Sequence, residues 1–306
     1  MNKKLIAVIS LFIILAFIGY IIYDTITSGT DSKTESVISK ELLPEDQWII
    51  TEEMVSVDGP LISVAVGQDG NIYLGGESYV TCLNQVLSKL WSIKTEGKIT
   101  ALSISGDTVF AASVESITLI STTGKLLNEW GPYEANSIIT SISANKKYVA
   151  FADAGNKRVF VLKKDGEVYS MMGQADNKFI IPSPYFDVAL YGEKTLYIAN
   201  TGNRRVETWT TEGKLLQFFG EPGSAPDAFC GCCNPAHFAV VPQGFVTAEK
   251  GINRIKILSP EGEFLEYVSS KNSFSPPMPL DVASADGKTI YAANHHDSKL
   301  YVFKRK

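Results

Sequence analysis

A unit of four short β-type runs, repeated along the chain, is the feature that most constrains the fold. It is clearest from Phe186 to Gly220, FDVALYGEKTLYIANTGNRRVETWTTEGKLLQFFG. The runs DVAL, TLYIAN, RVETWT and KLLQFF are separated by Tyr191-Gly192-Glu193-Lys194, Asn200-Thr201-Gly202-Asn203 and Thr211-Glu212-Gly213. Glycine, asparagine and aspartate tolerate positive φ or bond their own turn backbone, so these triplets and quartets break strands rather than extend them. The same order returns in Ser141 to Gly173, with Asp153-Ala154-Gly155-Asn156 and Asp165-Gly166, and in His237 to Ser269, with the Glu249 to Arg254 turn and Glu261-Gly262. Ser63 to Lys94 and Ala101 to Gly131 are looser copies that keep Asp69-Gly70 and Thr123-Gly124. Strand runs broken every 8–12 residues predict an all-β fold, and no later stretch holds a 3.6-residue apolar period.

The last unit, Asp281 to Phe303, supplies three runs only: DVAS, TIYAAN and KLYVF. An extra run, QWIITEEMVSV near 47–57, precedes the first unit. Pairing the two would complete the last sheet and leave no open edge. Five full units and one shared unit make six, or about 43 residues each over 46–306, within the propeller range. Each sheet is expected to carry its own core.

The segment Tyr197 to Gly220 resembles an NHL repeat, and Ala152 to Gly173 and Val246 to Ser269 resemble it more loosely. That resemblance implies an NHL-like six-bladed β-propeller over most of 47–306. Such propellers host lyases, ligand binders and scaffolds, so the fold alone does not give the function.

Ahead of the repeats, Leu5 to Ile22 is a run of 18 residues without a charge, LIAVISLFIILAFIGYII. As a helix it is about 27 Å long, near the hydrocarbon thickness. Lys3 and Lys4 precede it, and Asp24 and Asp31 follow. This predicts a single transmembrane signal anchor in 1–23, membrane contact through residues 5–22, a flexible linker over 24–45, and a propeller on the extracytoplasmic side of the cell membrane. The alternative is a cleaved signal peptide, for which only Thr27-x-Gly29 offers a weak processing site. The net charge of −5 leaves no basic surplus for a phosphate backbone, so nucleic-acid binding is not expected.

The chemistry concentrates in Phe229 to His237, FCGCCNPAH, which no other unit contains. It holds three of the four cysteines and one of the three histidines. Propeller topology puts this connection on the same face as the turn bearing His295 and His296. Cys230 and Cys233, spaced C-x2-C, could join His237, His295 and His296 around a soft metal ion or an iron–sulfur centre. Equally, two of Cys230, Cys232 and Cys233 could close a disulfide, since thiols tend to oxidise outside the cytoplasm. Cys82 reads as an inert strand residue.

The inter-strand turns offer a second candidate surface. Arg158, Asn203, Arg204, Arg205, Lys250 and Arg254 could face a ligand or partner on the rim, or serve turn structure alone. The leading functional expectation is a protein- or ligand-binding module centred on the 229–237 loop. A Cys/His metal or redox protein associated with electron transfer is the alternative, and a lyase or hydrolase on the propeller axis the third. No G-x-S-x-G, H-E-x-x-H or P-loop pattern occurs, and three late histidines fit poorly with a lyase that uses several separated ones.

Overall fold

A computed structural model describes residues 3–28, 45–56, 58–174, 178–270, 274 and 278–306, with side chains in the first of these segments described for 10–21 and 23 only. Two compact units divide it, 1–44 and 45–306. The first contains one helix, α1, Lys3–Ser28. Among the described residues no helix is long and apolar enough to cross a membrane. The apolar run 5–22 extends beyond the described side chains at residues 5–9 and 22, and most of the linker read over 24–45 lies outside the described residues.

The second unit is a six-bladed β-propeller. Its sheets are four-stranded and antiparallel. Strand β1, Trp48–Val55, precedes the blades. Blade one is β2 to β5 (Leu61–Val66, Ile72–Gly76, Tyr79–Leu83, Lys89–Lys94). Blade two is β6 to β9 (Ala101–Ser105, Thr108–Ala112, Ile117–Ser121, Leu126–Trp130). Blade three is β10 to β13 (Ile139–Ala144, Tyr148–Asp153, Arg158–Lys163, Val168–Met172). Blade four is β14 to β17 (Val188–Tyr191, Thr195–Asn200, Arg205–Thr210, Leu215–Phe219). Blade five is β18 to β21 (His237–Val241, Gly244–Ala248, Ile255–Leu258, Phe264–Ser269). Blade six is β22 to β24 (Asp281–Ala283, Thr289–Asn294, Lys299–Arg305) with β1 as its outer strand.

β1 runs antiparallel to β24 from Trp48↔Arg305 to Val55↔Lys299, with one irregularity between Ile50 and Glu52. Lys299 Nζ reaches Glu53 Oε2 at 2.9 Å across this pair. Trp48 is buried, and its indole donates to Glu266 Oε1 of blade five at 3.0 Å.

The glycines of the outermost turns explain why the units break where they do. Gly166, Gly213 and Gly262 have φ of 92°, 91° and 92°, a region that favours glycine.

The cores do not lie within single sheets, contrary to the expectation from the repeat. They lie between neighbours. One cluster joins Phe110 and Leu119 of blade two to Ile142, Phe151 and Phe160 of blade three. Another joins Val246 and Ile257 of blade five to Leu280, Ile290 and Phe303. The seam from blade six to blade one is filled the same way, by Ala293 and Leu300 against Leu61, Val64 and Leu74. A four-stranded sheet is two side chains thick, so an isolated blade has nothing to bury its faces against. The inner strands β2, β6, β10, β14, β18 and β22 surround the axis.

Candidate functional site

An axial cavity of about 240 Å³ runs between the inner strands. The inner-strand segments D-V-A-L, H-F-A-V and D-V-A-S share one register, which sets Asp187, His237 and Asp281 at equivalent positions of blades four, five and six. The equivalent residues of blades one to three are Ser63, Ala101 and Ser141. The three polar residues lie at the loop-face end of the cavity wall.

His237 Nδ1 lies 3.7 Å from Asp187 Oδ2 and 3.8 Å from Asp281 Oδ1. The carboxylates are themselves fixed by the neighbouring blades. Asp187 accepts from the amides of Val188 at 2.8 Å and Phe238 at 2.7 Å, and from the Ser141 hydroxyl. Asp281 accepts from the Val64 amide at 2.8 Å. Burial works against an imidazolium at His237, but the neighbouring carboxylates of Asp187 and Asp281 outweigh it and raise its pKa. Burial also pushes the Asp281 carboxyl up to about 6, with His237 pulling the other way. The arrangement is a base held between two acids, able to accept or give a proton near neutral pH.

Two residues from the flanking loops reach His237, one through the other. Tyr185 meets His237 edge-on, with ring centres 6.1 Å apart, and Lys250 Nζ stands 4.9 Å over the Tyr185 ring. Ser183 donates to Cys233 Sγ at 2.9 Å. Burial, with the charge of Cys233, raises the Tyr185 hydroxyl pKa.

The cysteine loop sits on a buried ion cluster. Glu249, Arg254 and Lys256 are all buried. Arg254 grips Glu249 through Nε–Oε1 at 2.7 Å and Nη2–Oε2 at 3.0 Å, and Lys256 Nζ lies 3.1 Å from the same carboxylate. Both cations also donate to the Ala228 carbonyl, at 3.1 and 2.6 Å, while the Cys230 amide donates to Glu249. Burial pushes Lys256 down to about 8 against the pull of Glu249. Asn234 closes the loop, donating to the Cys230 and Lys250 carbonyls and accepting from the Lys250 amide at 2.7 Å.

The candidate residues therefore separate. His237 joins Asp187 and Asp281 rather than the cysteines, because it opens β18 and faces the axis. His295 Nδ1 contacts the Leu61 carbonyl at 3.0 Å, which ties the β23–β24 turn to blade one. The His296 amide donates a turn bond to Asn294 Oδ1. Among the described residues no three of His, Cys, Asp and Glu converge as metal ligands, so Cys230, Cys233, His237, His295 and His296 do not form one site. All four cysteines are free thiols. The sulfurs brought together are those of Cys232 and Cys233, 3.1 Å apart, not those of the C-x2-C pair.

The rim residues mostly serve the blades. Arg254 is 4% exposed and committed to Glu249, so it faces no ligand. Arg205 binds Glu207 at 2.6 Å and lies over Phe218. Glu207 also accepts from Asn200 and Trp209, so the turn and the blade share one carboxylate. Arg158 pairs with Glu134 at 2.7 Å. Asn203 ends a 3-10 turn, Thr201–Asn203, and Arg204 caps it with φ 53° while donating to the Gly231 carbonyl at 3.3 Å. Only Lys250 stands beside the axial site. Cys82 is fully buried, as its strand position implies, and burial pushes its thiol up to about 11.

Asp187 and Asp281 were missed because each reads as an ordinary first strand residue. Aligning the inner strands across units, rather than the turns, sets them beside His237.

No family model matches this chain, and no curated protein matches it in sequence. Solved structures do resemble it. A streptogramin B lyase structure matches with TM-score 0.60 at 14% identity, covering 85% of this chain and 98% of that one. A catalytically inactive variant of virginiamycin B lyase from Staphylococcus aureus with quinupristin matches with TM-score 0.60 at 16% identity, covering 85% and 100%. The selenomethionine form of that Staphylococcus aureus lyase matches equally. At such identity the likeness establishes the fold: this chain is a six-bladed β-propeller.

Proposed function

We propose that this protein is a binding module whose site is the loop-face mouth of the propeller axis, under the cysteine loop of blade five. One observation carries the reading: His237 is held between Asp187 and Asp281 in the wall of a cavity of about 240 Å³, with Tyr185 against its ring and Lys250 against Tyr185. A cavity of that size takes a small polar ligand or one side chain of a protein partner. The paired charges favour a ligand that both donates and accepts hydrogen bonds. Screening polar metabolites and peptides for a rise in melting temperature tests this. Ligands that stabilise the wild type should fail with His237→Asn and with Lys250→Ala. Equal stabilisation of both variants would remove the axial mouth as the site.

Lyase or hydrolase chemistry is a second reading, favoured by the proton-transfer capacity of His237 and by lyases among the solved propellers of this shape. It predicts turnover of quinupristin by the wild type and its loss in His237→Asn. Absence of turnover by the wild type counts against it.

We infer further that the blades are NHL-type repeats and that residues 5–22 tether the propeller to the cell membrane with the blades outside. The uncharged run of 18 residues within a helical backbone, Lys3–Ser28, supports the tether. Intact mass of membrane-fraction protein should retain the start of the chain. A mature start after residue 25 would identify a cleaved signal instead.

A further inference from the structure

Adjacent residues of an extended chain send their side chains to opposite sides. Cys232 and Cys233 do not: their sulfurs lie 3.1 Å apart as free thiols. The loop path accounts for this. Gly231 has φ 79°, its carbonyl accepts from Arg204, and Asn234 holds both the Cys230 carbonyl and the Lys250 backbone. A curl pinned on both flanks brings the two sulfurs to about 1 Å beyond disulfide bonding distance.

The two thiols differ in access. Cys232 is exposed, and Cys233 is buried at 3%. Burial and the neighbouring Cys232 raise the Cys233 thiol, and the Ser183 hydroxyl and the Lys250 ammonium offset only part of that. An exposed sulfur able to attack, backed by a buried one able to resolve, is the division that thiol–disulfide exchange requires. Cys230 has no such partner: it lies two residues away on the far side of Gly231, and its amide is committed to Glu249.

We propose that Cys232 and Cys233 form an exchange couple that reduces a disulfide substrate, with Cys232 attacking and Cys233 resolving. The Cys232 thiolate, having lost its proton to water, bonds one sulfur of R–S–S–R. The S–S bond breaks, and the departing thiolate takes up a proton as RSH. Cys233 then loses its proton and bonds Cys232 Sγ, and the second RSH leaves. Two thiols are oxidised and one disulfide is reduced, so the electrons balance without a further reactant. The couple does not depend on what the axial mouth binds.

The test equilibrates the purified full-length protein in detergent with glutathione buffers of increasing oxidised fraction. Samples are quenched by alkylation under denaturing conditions and read by mass spectrometry. Wild type should lose two alkylatable thiols in one transition and retain no glutathione. Cys230→Ser should behave the same. Cys233→Ser should accumulate glutathione on Cys232, at least about tenfold above wild type. Cys232→Ser should show neither bridge nor adduct. Four alkylatable thiols at every ratio would overturn the proposal. So would a transition lost in Cys230→Ser, or one kept in Cys232→Ser. Fragmentation of the oxidised wild-type peptide decides the same point without any variant, because a bridge between neighbours leaves Cys230 alkylated.

Discussion

The two halves of the ring solve one problem with different side chains. Each inner strand must be held to the next so that the axis does not open. In the first half neutral hydroxyls do this: Ser103 Oγ accepts from the Ala144 amide and Ser143 Oγ from the Leu190 amide, each at 2.9 Å. In the second half carboxylates do it: Asp187 binds the Phe238 amide and Asp281 the Val64 amide. The geometry is shared. The difference is that a carboxylate keeps a second oxygen and a charge after its bond is made, and here both charges face His237. One structural job, done with an ionisable group, leaves proton chemistry on the axis. The first half has none.

Four experiments break or sharpen that comparison. The largest effect comes from blade six, where the second half is closed by the first strand. Removing residues 1–58 takes away β1 and bares β24, whereas removing 1–30 leaves β1 intact. The longer deletion should aggregate and the shorter should stay folded, as read by size-exclusion chromatography. Equal behaviour would show that β1 is dispensable.

Glu249 and Asp153 occupy matching turns of blades five and three, before Arg254 and Arg158. Glu249→Ala strands two buried cations and should cost about 3–5 kcal/mol in urea unfolding. Asp153 holds no buried cation but accepts from the Ser137 hydroxyl, the Ile138 and Asn156 amides and the Asn156 side chain. Asp153→Ala should cost less, about 1–3 kcal/mol. A reversed order would mean that the buried charge cluster does not hold the cysteine loop.

Next comes pH. The folded pKa of Asp281 lies above its unfolded value of about 3.9, and that of His237 above its unfolded value of about 6.5. The folded state thus holds its protons more tightly than the unfolded chain. Its advantage at Asp281 is complete below about 3.9 and is lost as pH rises to about 6. Its advantage at His237 is complete below about 6.5 and is lost as pH rises through the raised folded value. Stability should fall across the lower window by on the order of 2–3 kcal/mol and decline further across the upper one. His237→Asn should flatten the upper window, and Asp281→Asn the lower. An unchanged slope in either would place those groups in ordinary solvent.

The smallest effect belongs to the first half. Ser103→Ala should cost about 1 kcal/mol and leave ligand stabilisation and the pH profile untouched.

The blade count was legible because turn chemistry is local. Asn200 to Asn203 and the glycines at 166, 213 and 262 announce themselves wherever they occur. The site was legible only in part. The 229–237 segment stood out as foreign to the repeat, and its last residue, His237, lines the axial cavity. Its partners were not legible, because which side chains meet across an axis depends on three blades separated by about fifty residues each. Which two of Cys230, Cys232 and Cys233 approach each other was not legible, since spacing along the chain says nothing about the curl that Asn234 and Arg204 impose. Arg254 looked like a rim cation, because in sequence a buried ion pair and an exposed one are spelled alike.

The pairing of β1 with β24 has a consequence for the timing of synthesis. Glu53 finds Lys299 only 246 residues later. At elongation rates of about 5–20 residues per second, β1 waits roughly 10–50 s for its partner. Throughout that wait Trp48, buried in the closed ring, hangs on an unpaired strand while five blades grow behind it. The newborn chain is therefore a spiral with a sticky leading end. Any factor that shields this end before the final strand emerges would govern the yield of closed rings more than the stability of the finished molecule does.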